Sequence, residues 1–238
     1  MGALEVEKLF YELASGSRLS ILLELKVRDW KMNDLSRKLD LTTTETFRQL
    51  QRLSEASLVK KQPEGTYAIT EYGKIVLDFS SPLEFLLKNK EYFLTHDVRC
   101  LPHQFLMRLD ALSNATLIGG MVESTTKIST MIGQAKQYLW AISPEPLVQS
   151  VEAISKVVPQ TAEYRILSPQ PNTKLPNFEN RTLSESPLIM AVTESQAAVC
   201  FRLIGGKVDY ASFFGEAPIF YGWAKELFLY FWENAKST

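Results

Sequence analysis

Positive and hydrogen-bonding side chains are concentrated between Lys31 and Lys61. This stretch holds seven Lys or Arg residues against four Asp or Glu, whereas the whole chain of 238 residues has a net charge of −1. Lys and Arg are attracted to backbone phosphates, and Arg and Gln can form paired hydrogen bonds with the edges of guanine and adenine. The local excess of positive charge therefore favours contact between this segment and double-stranded DNA.

The residues expected to face DNA follow a helical pattern. Leu50 and Leu53 mark the apolar face of a helix predicted to begin at Thr42 or Thr43 and to run to about residue 56. The outward face near the start of this helix carries side chains suited to base edges: Thr43, Thr44, Phe47, Arg48 and Gln51. Cations suited to phosphates and turn residues suited to the neighbouring minor groove follow along the chain: Arg52, Lys60, Lys61, Gly65 and Thr66.

Short helices precede this segment and a hairpin follows it. Three helical stretches and two strand-like stretches are predicted from the apolar spacing: residues 4–13, 19–25, 35–39, 59–61 and 67–70. Helices joined by a tight turn and followed by a hairpin have the order of a winged helix-turn-helix, in which the helix from Thr43 is the recognition helix and residues 62–66 are the wing tip. Two other interpretations stay open, namely a solvated basic face and a protein-interaction module.

Pattern changes divide the chain into three predicted parts. Residues 1–78 form the DNA-binding domain, residues 79–112 a helical connector, and residues 113–238 an effector domain in which strand and helix patterns alternate. A connector helix often supplies a dimer interface, and paired half-sites on DNA require a two-fold partner. We therefore expect a homodimer, while packing of the connector against its own domain remains an equal alternative for that segment.

The effector domain opens with strand–helix–strand order, which implies parallel pairing, and ends with strands that suggest an antiparallel extension. Strands are predicted within residues 115–120, 138–143, 163–168, 188–193, 197–203 and 209–214, and helices within 125–135, 146–158 and 220–234. The fold class expected for the whole chain is α+β, with an N-terminal winged helix-turn-helix and a C-terminal α/β domain.

Polar residues in or just after these strands are candidate ligand contacts. Ser143, Arg165, Ser168 and Arg202 are such residues, and α/β sheets bind small molecules near strand ends. Arg165 or Arg202 could hold a carboxylate or a phosphate, so a small anionic effector is expected. A surface or core salt bridge is the alternative for each arginine.

The chain offers no recognisable motif for catalysis, for a cofactor or for a metal. Gly119–Gly120 lack the further glycines of a dinucleotide or phosphate loop, and no Gly-x-Ser-x-Gly elbow occurs. His96 and His103 have a spacing that a connector turn gives by chance. Cys100 and Cys200 are too few for a disulfide framework or a thiolate zinc site, and we expect both to be small buried apolar side chains.

Membrane insertion and secretion are also not expected. No apolar run reaches 18 residues, and the first residues include acidic side chains where a signal peptide would be basic. The low cysteine content fits a reducing compartment. We therefore expect a cytoplasmic protein.

Several stretches of the chain resemble a known family. SGSRLSILLEL, MNDLSRKLDLTTTETFRQLQRLSEASLVKK and YAITEYGK resemble archaeal ArsR-like winged-helix transcriptional regulators. FLTHDVRCLPHQFLMRLDAL and GWAKELFLYFWENAK are similar to the two ends of the effector domain of methanogenesis-regulator-type transcription factors, formerly a domain of unknown function. The resemblance covers nearly the whole chain and implies a phospholipase-D-like effector domain, which lacks the catalytic His-x-Lys signature here. The chain departs from the family at Ser57, where relatives often have Gly.

These patterns together predict a dimeric, ligand-responsive transcriptional regulator that is not an enzyme. Two other classes of protein remain as alternatives. A protein-interaction adaptor would use the winged helix to bind partner proteins, and an enzyme would require a nucleophile–base pair or a metal on the α/β domain.

Overall fold

The structure is a computed structural model that describes residues 3–143, 162–169, 178–183 and 186–237. The chain divides into two compact units, Met1–Ser81 and Pro82–Thr238. Of the segment predicted as a connector, residues 79–112, the part from Pro82 onward belongs to the second unit.

The first unit combines helices with a small sheet. Its described elements are α1 (Ala3–Leu13), α2 (Gly16–Val27), β1 (Trp30–Lys31), α3 (Met32–Lys38), α4 (Thr43–Glu55), β2 (Val59–Lys61), β3 (Thr66–Ile69) and α5 (Glu71–Asp78). The strand order is β1-β3-β2, and both pairs are antiparallel. Two helices joined by a tight turn and followed by a hairpin form the arrangement of a winged helix-turn-helix.

Aliphatic side chains from α2, α3, α4 and the following hairpin form the core of this unit. The fully buried members include Ile21, Leu22, Leu35, Leu50, Leu53 and Leu58. Burial of each such side chain stabilises the fold by about 2 kcal/mol relative to exposure. The start of α4 is fixed by Thr42, one of the two predicted cap residues, whose Oγ1 accepts a 3.1 Å hydrogen bond from the backbone N–H of Glu45.

Both helices of the helix-turn-helix are followed, two positions after their last residue, by a residue with positive φ. After α4, the N–H of Leu58 donates to the carbonyl of Leu53 and the N–H of Ser57 donates to the carbonyl of Ser54, each at 2.9 Å. This pair of bonds is a Schellman motif, in which the left-handed position normally belongs to Gly. Here Ser57 occupies it with φ of 61°, and Asp40 closes α3 with φ of 53°.

The second unit is built on one large mixed sheet. Its described elements are α6 (Ser81–Lys88), α7 (Lys90–Thr95), β4 (His96–Asp97), α8 (His103–Leu106), a 3₁₀ helix (Leu109–Asn114), β5 (Thr116–Ile118), α9 (Met121–Gln134), β6 (Tyr138–Ile142), β7 (Glu163–Ser168), β8 (Phe178–Thr182), β9 (Leu188–Thr193), β10 (Ala197–Leu203), β11 (Ser212–Gly215), α10 (Pro218–Asn234) and β12 (Lys236–Ser237). The strands follow the order β12-β8-β7-β6-β9-β10-β11-β5, and β4 pairs separately with β10.

Strand directions in this sheet confirm parallel pairing with an antiparallel extension, but the opening strand β5 pairs antiparallel with β11 and does not pair with β6. The neighbours β6, β7 and β8 are parallel, whereas β9, β10, β11 and β5 continue the sheet through antiparallel pairs. Helices together with mixed sheets confirm the α+β class. The helix predicted within residues 146–158 lies outside the described residues.

Helices cover both faces of the sheet. α10 buries Trp223, Leu227 and Phe228 in the core on one face, and α9 buries Met131 beside Tyr164 on the other. In the part of the chain that the structure describes, no helix is both long enough and apolar enough to cross a bilayer.

The helices that follow Ser81 contribute to the core on the α10 side. Phe85 of α6 and Tyr92 of α7 are buried there, and the Tyr92 hydroxyl accepts a 3.3 Å hydrogen bond from the N–H of Phe201 on β10. The outward side of α6 leaves Leu83 and Leu87 exposed by 52% and 74%. Of the two alternatives for this segment, the structure shows packing within its own unit and also leaves apolar side chains exposed.

Candidate nucleic-acid interface

One face of α4 carries all five side chains that the sequence assigned to base contacts. Thr43, Thr44, Phe47, Arg48 and Gln51 are exposed. The opposite face of the same helix is buried through Thr46, Gln49, Leu50 and Leu53. The helix therefore presents a polar outer face whose register is fixed by its aliphatic inner face.

The side chains on this outer face differ in their hydrogen bonds to the rest of the protein and in their exposure. Gln51 donates from Nε2 to Glu55 at 3.1 Å, one turn further along α4. Arg48 has no hydrogen bond or ion pair with any described residue. Phe47 is 51% exposed, which is a large apolar surface for the start of a polar helix face. The free guanidinium and the exposed ring are the groups available to a partner.

Arg52 lies on the same helix but has a partner within the protein. Its Nη2 lies 2.6 Å from Oε1 of Glu12 on α1, and its guanidinium lies 5.1 Å from the centre of the Tyr11 ring. The hydrogen bond to Glu12 raises the pKa of Arg52 above its ordinary value. Arg52, the predicted phosphate contact, thus joins α4 to α1, and its side chain remains 42% exposed.

The Glu12 carboxylate is shared with a second arginine, Arg18 of α2. Arg18 is only 6% exposed, and its Nε lies 2.9 Å from Oε2 of Glu12. Its guanidinium also donates to the carbonyls of Tyr11 and Glu12, at 2.7 and 2.8 Å, and to Oε1 of Gln49 at 3.1 Å. These carbonyls belong to the last turn of α1, where helical partners are missing, so Arg18 satisfies them and joins α1, α2 and α4.

The hairpin carries the remaining predicted residues, of which Gly65 and Thr66 are half-buried. Lys60 and Lys61 on β2 are exposed. Gly65 closes the turn with φ of 86°, a conformation that favours glycine, and its N–H donates to the carbonyl of Gln62 at 3.0 Å. Thr66 donates from its hydroxyl to Glu64 at 3.2 Å, so the wing tip is itself hydrogen-bonded.

In the second unit, the four candidate ligand residues do not form one site. Side chains alternate along a strand, so Ser168 lies on the α9 face with Tyr164, and Arg165 lies on the α10 face. There the Arg165 guanidinium lies 5.1 and 5.6 Å from the rings of Trp140 and Trp232, and its Nε lies 2.7 Å from Glu163. For Arg165 the structure thus supports the alternative interpretation, an ion pair within the fold.

Arg202 is likewise bound by the protein. Its Nε donates to the carbonyl of Ser186 and its Nη1 to the carbonyl of Gly206, both at 2.7 Å. These two bonds hold the segment before β9 and the turn after β10, and they use donors that an anionic ligand would need. Arg202 was expected to bind a carboxylate or a phosphate. Part of its hydrogen-bonding capacity is already used within the protein.

Ser143 borders an apolar cavity of about 140 Å³ beneath α9. Its floor is a cross-strand row of alanines, because Ala141 pairs with Ala191 and Ala191 pairs with Ala198. Cys200 also lines the cavity, and burial raises the pKa of its thiol to about 12. The cavity was not foreseen, although the three alanines in otherwise large apolar strands were a visible signal.

Metal-binding groups are not clustered in the described residues. No group of three or more His, Cys, Asp or Glu side chains is close enough there to hold a metal ion. His96 is buried, and its ring nitrogens lie 2.9 Å from the carbonyl of Tyr92 and 3.2 Å from Oδ1 of Asp209. The His96 side chain thus joins α7 to the loop before β11.

Comparison with known proteins gives one curated relative. No family model matches the chain. Over 150 residues, 61% of this chain, it is 26% identical to the methanogenesis regulatory protein FilR1 of Methanothrix harundinacea strain 6Ac. The match spans only 31% of the length of that relative. The name of this relative describes a regulator, which agrees with the expectation that the chain is not an enzyme.

Two solved structures show weak likeness. One is TrmBL2, an archaeal chromatin protein described as showing a novel mode of DNA binding, with 15% identity, 94% of both chains covered and a TM-score of 0.40. The other is RosA, a riboflavin-derivative dimethyltransferase from Streptomyces davawensis, with 13% identity, coverage of 67% and 55%, and a TM-score of 0.28. Neither likeness supports the expected phospholipase-D-like architecture.

Proposed function

We propose that this chain is a cytoplasmic, DNA-binding transcriptional regulator of the archaeal type. The observation that carries the proposal is the outer face of α4, where Arg48 is free of partners in the described chain, beside a hairpin with exposed Lys60 and Lys61. Arg and Gln side chains on such a helix can read base edges, and lysines on the wing can hold phosphates. The regulatory name of the curated relative and the ArsR-like resemblance of the sequence support the same proposal.

Binding to DNA as a function of salt tests this proposal. Full-length protein is titrated against promoter fragments from its own genome by fluorescence anisotropy at several salt concentrations. A protein that neutralises phosphates loses affinity with a log–log slope of about −0.9 for each contact, so a slope of several units is expected. The double change Arg48→Ala and Gln51→Ala should abolish discrimination between sites. Lys74→Ala is the control, since that lysine is paired with Glu71 at 2.7 Å.

A slope near zero, or no binding to any fragment, would contradict DNA recognition. The second outcome would favour the adaptor alternative, in which the exposed Phe47 and Arg48 face a protein.

We further infer that the regulator acts as a homodimer. The exposed Leu83 and Leu87 of α6 lie on the segment that the sequence associates with dimerisation. Two-fold pairing would match two half-sites on DNA. Sedimentation equilibrium of the wild type and of Leu83→Ser/Leu87→Ser tests the inference. A dimer that is unaffected by the double change would rule out this surface.

The second unit is proposed to sense a small molecule at the carboxyl ends of β6 and β7. Ser143 and Ser168 lie there, and Ser143 borders the 140 Å³ cavity. A cavity of about 150 Å³ lined by aliphatic side chains can bind a molecule of the size of benzene. Native mass spectrometry of the purified chain tests this, with Ala198→Leu as the variant that fills the cavity. A bound mass that persists in the variant would exclude the cavity as the site.

A further inference from the structure

A second basic surface lies in the first unit, outside the face of α4. It is an open groove of about 660 Å³ formed by β1, α3 and the start of β3. Four cations and two carboxylates line it: Arg28, Lys31, Arg37, Lys38, Asp29 and Asp34. The excess of two positive charges on one concave surface favours an anionic partner.

The four cations are not equivalent. Arg37 forms an ion pair with Asp34, and Lys38 lies 3.9 Å from Oε1 of Glu24. Arg28 and Lys31, in contrast, have no ion pair with any carboxylate in the described residues. These two side chains are therefore the cations of the groove without a carboxylate partner, and Asp29 is the one lining carboxylate outside the two ion pairs.

Arg28 is held in place by an aromatic ring. The centre of its guanidinium lies 3.7 Å from the centroid of the Trp30 ring, within the range of a close cation–π contact. Face-on stacking leaves the edge of a guanidinium, which carries the N–H donors, free for two parallel hydrogen bonds. A phosphate has the oxygens that fit such a fork. Because stacking already orders Arg28, less side-chain entropy is lost when a ligand binds.

Lys31 links the groove to the hairpin. Trp30 and Lys31 of β1 pair with Tyr67 and Thr66 of β3, so Lys31 lies in register with the first residue after the wing turn. In the neighbouring row, Trp30 and Lys61 both pair with Tyr67, and Nζ of Lys61 lies 6.0 Å from the centre of the Tyr67 ring. Cations thus lie on both edges of the three-stranded sheet, and the groove reaches the base of the wing at Thr66, which lines it.

We propose that this groove is a second contact for the phosphate backbone of double-stranded DNA, with Arg28 and Lys31 as its contact residues. The inference rests on the proposed DNA binding and extends it beyond α4. DNA is chosen as the partner because the groove adjoins the wing and because the unpaired cations can bind phosphates regardless of base sequence. The contact supplies affinity and no sequence preference.

The test uses full-length protein and a DNA duplex that the wild type binds, with affinity measured between 0.05 and 0.3 M salt, roughly the range over which counterion release is resolved. Lys31→Gln should lower the slope of log affinity against log salt by about 0.9 and the affinity at 0.15 M by about 5-fold. The double change Arg28→Gln/Lys31→Gln should lower the affinity about 30-fold, with the preferred sequence unchanged. Arg28→Lys should retain most of the wild-type slope, since the charge remains.

Lys74→Gln is the matched control, because it removes one positive charge from the same unit at a lysine already paired with Glu71. Unchanged slope and affinity in the Lys31→Gln and double variants would overturn the proposal while leaving DNA recognition by α4 intact. An equal loss in Arg28→Gln and Arg28→Lys, with a lowered unfolding temperature in both, would also overturn it, since Arg28 would then act only through the fold. A wild type that binds no duplex would overturn the proposed function itself.

Discussion

Glu12 on α1 accepts a 2.6 Å hydrogen bond from Nη2 of Arg52 on α4, and so an acidic residue near the N-terminus fixes the helix proposed to read DNA. The same carboxylate lies 2.9 Å from Nε of the buried Arg18. Arg18 in turn reaches Gln49 on the inner face of α4. The orientation of the proposed recognition helix thus depends on a polar network in addition to the aliphatic core.

Removal of Arg18 should destabilise the first unit strongly. Arg18→Ala leaves the carboxylate of Glu12 with one partner fewer and deprives the last carbonyls of α1 of their donors. Breaking a buried pair on one side costs about 3 kcal/mol, and we expect a loss of that size in unfolding free energy. Denaturant-dependent hydrogen exchange of amides in α4 measures it. Arg37→Ala, at a side chain 79% exposed, should change the value by less than about 0.5 kcal/mol. Equal values for the two variants would contradict a structural role for the network.

Ser57→Gly should stabilise the first unit. A side chain in the left-handed conformation costs about 1 kcal/mol, and Gly relieves this cost at the Schellman position, partly offset by the greater freedom of Gly in the unfolded chain. We expect a gain of up to about 1 kcal/mol, measured by urea denaturation.

Asp40→Gly is a graded comparison for this prediction. Asp tolerates the left-handed region better than Ser, so the gain at Asp40 should be smaller than at Ser57. Destabilisation by Ser57→Gly would show that its side chain has a role that the backbone conformation does not explain.

Gly73 on α5 is required by a close backbone approach. A Cβ built there would lie 2.3 Å from the carbonyl oxygen of Leu58 and 2.8 Å from Cγ1 of Ile69. Gly73→Ala should therefore force α5 away from the hairpin and cost about 2 kcal/mol in unfolding free energy. Gly16→Ala, where the added methyl group meets no atom within 4 Å, is the matched control and should not destabilise. A lowered unfolding midpoint in the control alone would contradict this explanation.

The two cysteines should react slowly with alkylating agents. Burial, with a smaller contribution from the charge of Asp97, raises the pKa of Cys100 to about 11, and burial together with Asp209 raises that of Cys200 to about 12. At pH 8 the thiolate fraction of Cys100 is then about 100-fold below that of an ordinary cysteine. Iodoacetamide labelling followed by mass spectrometry should show a rate that keeps rising as the pH approaches 11. The urea-unfolded chain provides the control.

The same shifts have a consequence for stability. Because both pKa values are raised in the folded chain, the folded state keeps its thiol protons where the unfolded state has lost them. The stabilisation is complete below about pH 8.5 and is lost as the pH rises through 11 and 12. Labelling rates at pH 8 equal in folded and unfolded protein would show that the thiols are not buried.

The first unit was predictable because its signals are local. Leucine spacing defined the inner face of α4, Thr42 with Glu45 marked its start, and turn residues around Gly65 marked the hairpin. Each of these features depends on residues only a few positions apart, so each can be predicted from the sequence alone. The sequence also marked Ser57 as a departure, and its positive φ shows why Gly would suit that position.

Long-range partners of polar side chains were not predictable in the same way. Arg52 pairs with Glu12, which is 40 positions away, and Arg202 donates to backbone carbonyls that the sequence does not distinguish from others. Arg165 and Ser168 are three residues apart on one strand, so alternation places them on opposite faces. A guanidinium takes whichever acceptor the fold brings near, and only the assembled tertiary structure determines that acceptor.

Reading of DNA sequence by the outer face of α4 is tested most directly by selection from a random duplex pool. Wild-type protein and the Arg48→Ala/Gln51→Ala variant are each used to capture duplexes from the same pool, and the captured molecules are sequenced. We predict that the wild type enriches a defined motif, whereas the variant still binds DNA at low salt but enriches none. Enrichment of the same motif by both proteins, or of no motif by the wild type, would contradict the account.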